Sequence, residues 1–197
     1  EWISDHIRII FNGNGYSEEW VKEAERRGLP NIRNMVDTLS CLTDKSTIEL
    51  FERHKVMTRV ELTSRQEVGY ESYAKAINIE ARTMIDMVKK EILPAVIKYT
   101  TTVAQSVAAV KAVGADASVQ ENLLTDISAN LAAMNQAMKK LEEETNKAVV
   151  IEDPKAQAIA YRDHVFSAME ALRIPADELE KIVDKSVWPF PTYADLL

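Results

Sequence analysis

The 197 residues are 46% hydrophobic and 28% charged with a net charge of −7, the composition of an ordinary soluble domain, alone or with an appendage. The acidic balance excludes a nucleic-acid groove, which needs clustered Lys and Arg facing phosphate. One cysteine, Cys41, excludes a disulfide framework or thiolate metal cluster, and no apolar run approaches the ~20 residues that cross a bilayer.

Residues 2–10 carry Trp2, Ile3, Ile7, Ile9 and Ile10 and read as the last turns of a helix running into a short extended stretch. The chain is therefore expected to be a piece of something larger. The segment FNGNGYSEEW follows at 11–20. Ser17 suits an N-cap, and Glu18 and Glu19 put negative charge in the first turn, where the helix dipole favours it. Arg26 and Arg27 close the last turn, with Gly28 and Pro30 beyond as stop signals. A short capped helix is predicted over 18–27, with Trp20, Val21 and Ala24 inward. Residues 29–44 read as irregular. Thr43-Asp44 then caps a helix of about ten residues that turns Ile48, Leu50 and Phe51 inward.

From Thr58 to Val113-Gly114 the only turn signal is Pro94. Tyr70, Tyr73, Ile77, Ala81, Met84, Val88 and Ile92 recur in steps of three and four, and Glu71 and Lys75 form an i,i+4 pair. The spacing predicts one helix of about 80 Å at ~1.5 Å per residue. Pro94 kinks it, because its ring meets the carbonyl of Lys90 and it has no N–H to donate. Gly69 costs the helix roughly 1 kcal/mol relative to Ala.

Gly114 to Ala117 makes a turn and Ser118 caps the next helix. Leu124, Ile127, Leu131, Met134, Met138 and Leu141 form a coiled-coil seam. IEDP breaks the chain, with Asp153 as N-cap and Pro154 at the first helical position. The third helix carries Ile159, Phe166, Met169, Leu172, Leu179 and Ile182 inward, with Pro175 as a second kink. The reading is all-α: short helices, then an antiparallel bundle of one very long Pro-kinked helix and a helical hairpin. Scarce glycine, five residues in all, agrees with a helical rather than a doubly wound or β-rich chain.

The candidate sites reduce quickly. A di-iron bundle needs Glu-x-x-His twice, but Ile3, Phe51 and Tyr161 stand three residues before His6, His54 and His164. No metal ligands are assigned. Cys41 lies in a polar loop without the context of a nucleophile. Glu142–Glu144 beside Lys139-Lys140 read as a solvated face, and Met84, Met87, Met134, Met138 and Met169 as core filler. In FNGNGYSEEW no lysine follows the glycines, so it is not a Walker loop. Glu18 stands where a dinucleotide fingerprint needs its third glycine. Glu18 and Glu19 would also repel a phosphate. The loop is expected to turn the chain, with Asn12 to Gly15 suited to positive φ, and no catalytic, cofactor-binding or metal residue is assigned. The tail WPFPTYADLL cannot stay helical, so Trp188, Phe190 and Tyr193 must lie on something. They dock on the parent protein or serve as interface anchors toward a neighbouring subunit.

IIFNGNGYSEEWVKEAERRGLPN (9–31), HKVMTRVELTSR (54–65), YAKAINIEARTMIDMVKKEILPAVIKY (73–99), YRDHVFSAMEALR (161–173) and WPFPTYADLL (188–197) together resemble the C-terminal region of type III glutamine synthetases, the large bacterial form of that enzyme. The resemblance covers nearly the whole chain, in order. It implies a parent that joins ammonia to glutamate with ATP and Mg or Mn, working as a dodecamer of two stacked hexameric rings. It further implies that the reacting residues lie upstream of Glu1, with residues 1–40 ending the catalytic region and 44–197 forming a helical C-terminal domain. The fragment alone is then expected to be inactive and to serve assembly or support of the catalytic domain. The single cysteine, the lack of a bilayer-length apolar run and of a visible signal peptide point separately to the cytoplasm. The fragment's partners are the rest of the parent chain and neighbouring subunits, without nucleic acid or membrane. The bundle pattern alone would also suit a free-standing helical scaffold or coiled-coil binding module.

Overall fold

The computed structural model describes residues 1–191 and Asp195, and among these there is helix and no strand. They form two compact units, Glu1–Gln66 and Glu67–Leu197.

The first unit opens with α1 (Trp2–Asp5) and a 3-10 turn (Ile7–Ile9). After the FNGNGYS loop comes α2 (Glu18–Arg26), where Ser17 Oγ accepts the N–H of Trp20, as the cap reading expects. Gly28 ends it at φ +64°, the left-handed conformation that glycine adopts without steric cost. Residues 29–44 are not irregular throughout: α3 (Met35–Ser40) and a 3-10 turn (Cys41–Thr43) occupy part of them. Asn34 starts α3, its Oδ1 accepting the N–H of Asp37 at 2.9 Å while its amide donates to the Asp37 carboxylate at 2.7 Å. That local cap lets Val36 and Leu39 reach the core.

Helix α4 (Lys45–Arg53) follows. Ile48 is buried, but Leu50 is 49% exposed and does not point inward. Lys55 takes the positive-φ position after α4, with Val56 N–H closing on the carbonyl of Phe51 at 2.9 Å. At the next start, Glu61 accepts both the N–H and hydroxyl of Thr58, at 2.7 and 2.8 Å, a reciprocal cap. Leu62 is fully buried, and Gln66 Nε2 donates to the carbonyl of Leu39 and the hydroxyl of Thr43.

The second unit is built on the long helix. It runs unbroken as α5 (Arg59–Met87), a π-helical turn (Val88–Ile92) and α6 (Leu93–Ala112). The π turn is the physical answer to Pro94. The ring removes the N–H that the Lys90 carbonyl would accept, and a wider turn just before it relieves the crowding. Gly114 turns the chain at φ +74°, and α7 (Ser118–Val149) returns beside α6. Ser118 is not the cap. It is the first helical residue, and its N–H and hydroxyl both donate to Asp116, which closes the turn from outside. Lys111 pairs with Glu121 and Lys89 with Glu142. The separation of the lysines matches that of the glutamates to within one residue, as an antiparallel pair requires.

Asp153 accepts the N–H of Ala156 at 2.7 Å and caps α8 (Pro154–Ala160). A second π turn (Tyr161–Phe166) leads into α9 (Ser167–Ile182), which lies along α7. The extra residue in that turn slides the register. Val165 is fully buried and Phe166 is 42% exposed, so Phe166 is not a core residue. Pro175 sits inside α9 and is buried, and the helix continues past it although the Ala171 carbonyl loses its intrahelical donor. The seam residues Ile127, Met134, Met138 and Leu141 pack with Ala81, Val88 and Val96 of the long helix and with Tyr161, Val165 and Leu172.

Candidate functional site

The signature loop is held by its own polar groups. Asn14 Oδ1 accepts the N–H of Tyr16 at 3.0 Å, and the Ser17 hydroxyl donates to the Asn14 carbonyl at 2.8 Å. None of residues 12–15 has positive φ, contrary to the expectation. What Gly13 supplies is space: a Cβ there would stand 2.6 Å from Cζ of Phe11. The Phe11 ring in turn lies 4.8 Å from that of Trp20, tilted by 40°, a favourable aromatic geometry. Gly15 has open space around it, and Tyr16 is fully solvent-exposed. Glu18 pairs with Arg33 at 3.2 Å, so the start of α2 is occupied by a carboxylate and its cation.

Behind the loop lies a cluster that the sequence reading did not single out. Glu23 accepts from Arg26 Nε and Nη2 at 2.7 and 2.6 Å and from Arg27 Nε at 2.6 Å. Arg27 Nη1 also donates to the carbonyls of Ile10 and Arg8, at 2.7 and 3.1 Å. The Arg26 hydrogen bonds first, and those from Arg27 second, hold the Glu23 carboxyl down at about 2. The spacing of Glu23 from Arg26 and Arg27 was available as a signal. The reach of Arg27 to the backbone of Ile10 was not.

The tail leaves α9 through a tight turn. Asp184 Oδ1 accepts the N–H and hydroxyl of Ser186, and these hydrogen bonds lower its pKa. The N–H groups of Val187 and Trp188 close on the Asp184 carbonyl at 2.8 and 3.0 Å. The turn points Trp188 back onto its own unit, where it is 9% exposed and belongs to the core, with Phe190 packed beside it. The two rings share a cleft of about 320 Å³ with Met87 and Ile92 of the long helix and Ala176 and Glu180 of α9. Tyr193, the third aromatic of the expected anchor, lies outside the described residues.

A second groove of about 480 Å³ runs between the long helix and α7, bordered by Arg82, Asp86, Lys89, Glu142 and Asn146. Its charges are matched in place: Lys89 with Glu142, Lys90 with Asp86 at 2.7 Å, and Arg82 Nε donating to Asn78 at 3.0 Å. The buried Thr145 hydroxyl donates to the Leu141 carbonyl at 2.7 Å. This is a solvated, ion-paired face rather than a poised acid–base pair. Glu143 and Glu144 pair with Lys140 and Lys147 along α7.

His6 and His54 are exposed at helix ends, and His164 is exposed in the second π turn. Cys41 is half-buried, its Sγ 3.9 Å from the carbonyl of Asp37. Among the described residues no three His, Cys, Asp or Glu stand together in a way that could hold a metal ion, and no helix is long and apolar enough to cross a membrane.

The family model of the glutamine synthetase C-terminal domain matches residues 1–111. The chain is 34% identical, over its whole length, to a glutamine synthetase of Butyrivibrio fibrisolvens, of which it covers 28%. It is 30% identical over 99% of its length to a type-3 glutamine synthetase of Dictyostelium discoideum, covering 27% of that protein. A glutamine synthetase of Bacteroides fragilis is 30% identical over 96% of the chain, which again covers 27% of it. The chain thus spans little more than a quarter of the length of these relatives.

Proposed function

The chain belongs to the glutamine synthetase C-terminal domain family, and we propose that it is the helical C-terminal part of a type III glutamine synthetase. The parent ligates ammonia to glutamate at the expense of ATP, in the cytoplasm, as a dodecamer. The observation that carries this reading is the alignment of 96 to 100% of the chain with glutamine synthetases, one of them type 3, at 30 to 34% identity. The described residues do not fit the ATP and the Mg or Mn of that reaction. They offer no clustered donor set for a divalent cation, and Glu18 and Glu19 stand in the first turn of α2, where a phosphate would have to sit. By the resemblance, nucleotide, metal and glutamate belong to the preceding part of the parent.

The role proposed for this chain is mechanical. A long helix buttressed by α7 and α9 is a rigid element, and the tail is fastened to it by Trp188. Phe190, half-buried, stands at the rim of that anchor, where a neighbouring subunit would complete its cover. Two experiments test the reading. The full-length parent, given glutamate, ammonia, ATP and Mg or Mn, forms glutamine; a parent without that activity overturns the assignment. Removing residues 186–197 from the parent changes its mass by light scattering; an unchanged assembly removes the tail from the assembly role.

A further inference from the structure

The first nine residues turn four large apolar side chains to solvent: Trp2 is 84% exposed, Ile3 71%, Ile7 61% and Ile9 65%. Single exposed apolar residues are ordinary, but a contiguous set marks a surface that something covers. This segment is not a loose end. Arg27 holds the carbonyls of Arg8 and Ile10, on either side of Ile9, and Glu23 holds Arg27. The backbone of the 3-10 turn is thus fastened while Ile7 and Ile9 stay exposed to solvent. Such a strip is presented before any partner arrives, which lowers the ordering cost of docking.

The occupant follows from length and place. Relatives of this chain are more than three times as long, since it covers only 27 to 28% of each. The family matched is a C-terminal domain, so in such a parent the additional chain lies ahead of Trp2 and is tethered to the strip itself. A tethered partner meets the strip at high effective concentration, which a second copy in dilute solution does not. We propose that Trp2, Ile3, Ile7 and Ile9 form a docking strip for the region of the parent chain that precedes them, with Arg27 clamping the strip in place. This rests on reading the chain as the C-terminal part of a longer glutamine synthetase.

The test uses the full-length parent carrying the photoreactive substitution Ile7→p-benzoylphenylalanine. On irradiation the expected product keeps the mass of one chain on a denaturing gel, and its cross-linked peptide maps upstream of Glu1. A product of twice the chain mass assigns the strip to a second copy and overturns the proposal, as do a cross-link confined to residues 1–197 and no cross-link at all. Hydroxyl-radical footprinting of the unsubstituted parent removes dependence on the variant's folding. Trp2 is expected to be modified at least about five-fold more slowly in the native parent than in urea, and equal rates overturn the proposal. If the parent gene encodes no preceding domain, the intact mass before irradiation shows it, and the underlying reading fails rather than the docking step alone.

Discussion

Arg27 donates from Nη1 to the carbonyl oxygen of Ile10 at 2.7 Å, across 17 positions of sequence. The same guanidinium binds Glu23 through Nε, so one planar group ties helix α2 to the backbone of the opening segment. A lysine has one ammonium in place of this fork and cannot serve both partners from a fixed geometry. Arg27→Lys is expected to destabilise the first unit by about 1–2 kcal/mol, read by urea unfolding followed through the Trp20 signal. A variant within about 0.5 kcal/mol of the original would show that the fork is dispensable.

Two glycines of the signature loop should respond with opposite signs. Gly13→Ala places a methyl against the Phe11 ring and swings it off Trp20. The lost aromatic pairing is worth about 0.5–1.5 kcal/mol, and a change in Trp20 fluorescence should accompany it. Gly15→Ala meets open space at a φ that is not positive. It should be neutral, or stabilising by up to about 1 kcal/mol through the unfolded chain. Equal effects at the two positions would contradict the steric account.

Acid should weaken the first unit through Glu23. Its carboxyl sits at about 2 in the folded chain against an ordinary 4.5. A depressed folded value contributes stability that is complete above the unfolded value and is lost as pH falls through the folded one. The melting temperature should therefore decline from about pH 4.5 to about pH 2. Glu23→Gln should be less stable at pH 7 and show a shallower decline across that window. A carboxyl titration by NMR with its midpoint at the ordinary value would refute the cause assigned.

The second unit should be most sensitive at the seam of α7. Leu141 is fully buried among the long helix and α9, so Leu141→Ala should cost about 2–5 kcal/mol in chemical denaturation. Val119, on the same helix but 76% exposed, is the control, and Val119→Ala should stay within about 0.5 kcal/mol. Similar losses at both sites would mean that the helix is not anchored by its seam.

Much of both units was legible in the order of residues. The three-four spacing from Tyr70 to Ile92 and from Leu124 to Leu141, the Asp153-Pro154 start and the Ser17 cap all act between near neighbours, and each is present in the fold. The misses are equally specific. Helix α3 hid because its cap, Asn34 with Asp37, opens only two turns of helix. Phe166 was expected inside because regular 3.6-residue periodicity does not foresee the π turn that brings Val165 there instead. Ser118 resembled a cap by type, yet Asp116, two residues earlier, captures its N–H and hydroxyl.

The order of residues by itself determined that the chain is helical, where its long helices start and stop, and which family it resembles. Periodicity, capping and recurring motifs are local properties written within a few residues of each other. The folded chain alone decided that Arg27 clamps the backbone at Ile10, that Gly13 makes room for an aromatic ring, that Lys89 finds Glu142 across 53 positions, and that Trp188 closes on its own unit. Each of these depends on how packed elements bring distant or crowded atoms within reach, and a contact between such atoms has no period along the chain to announce it.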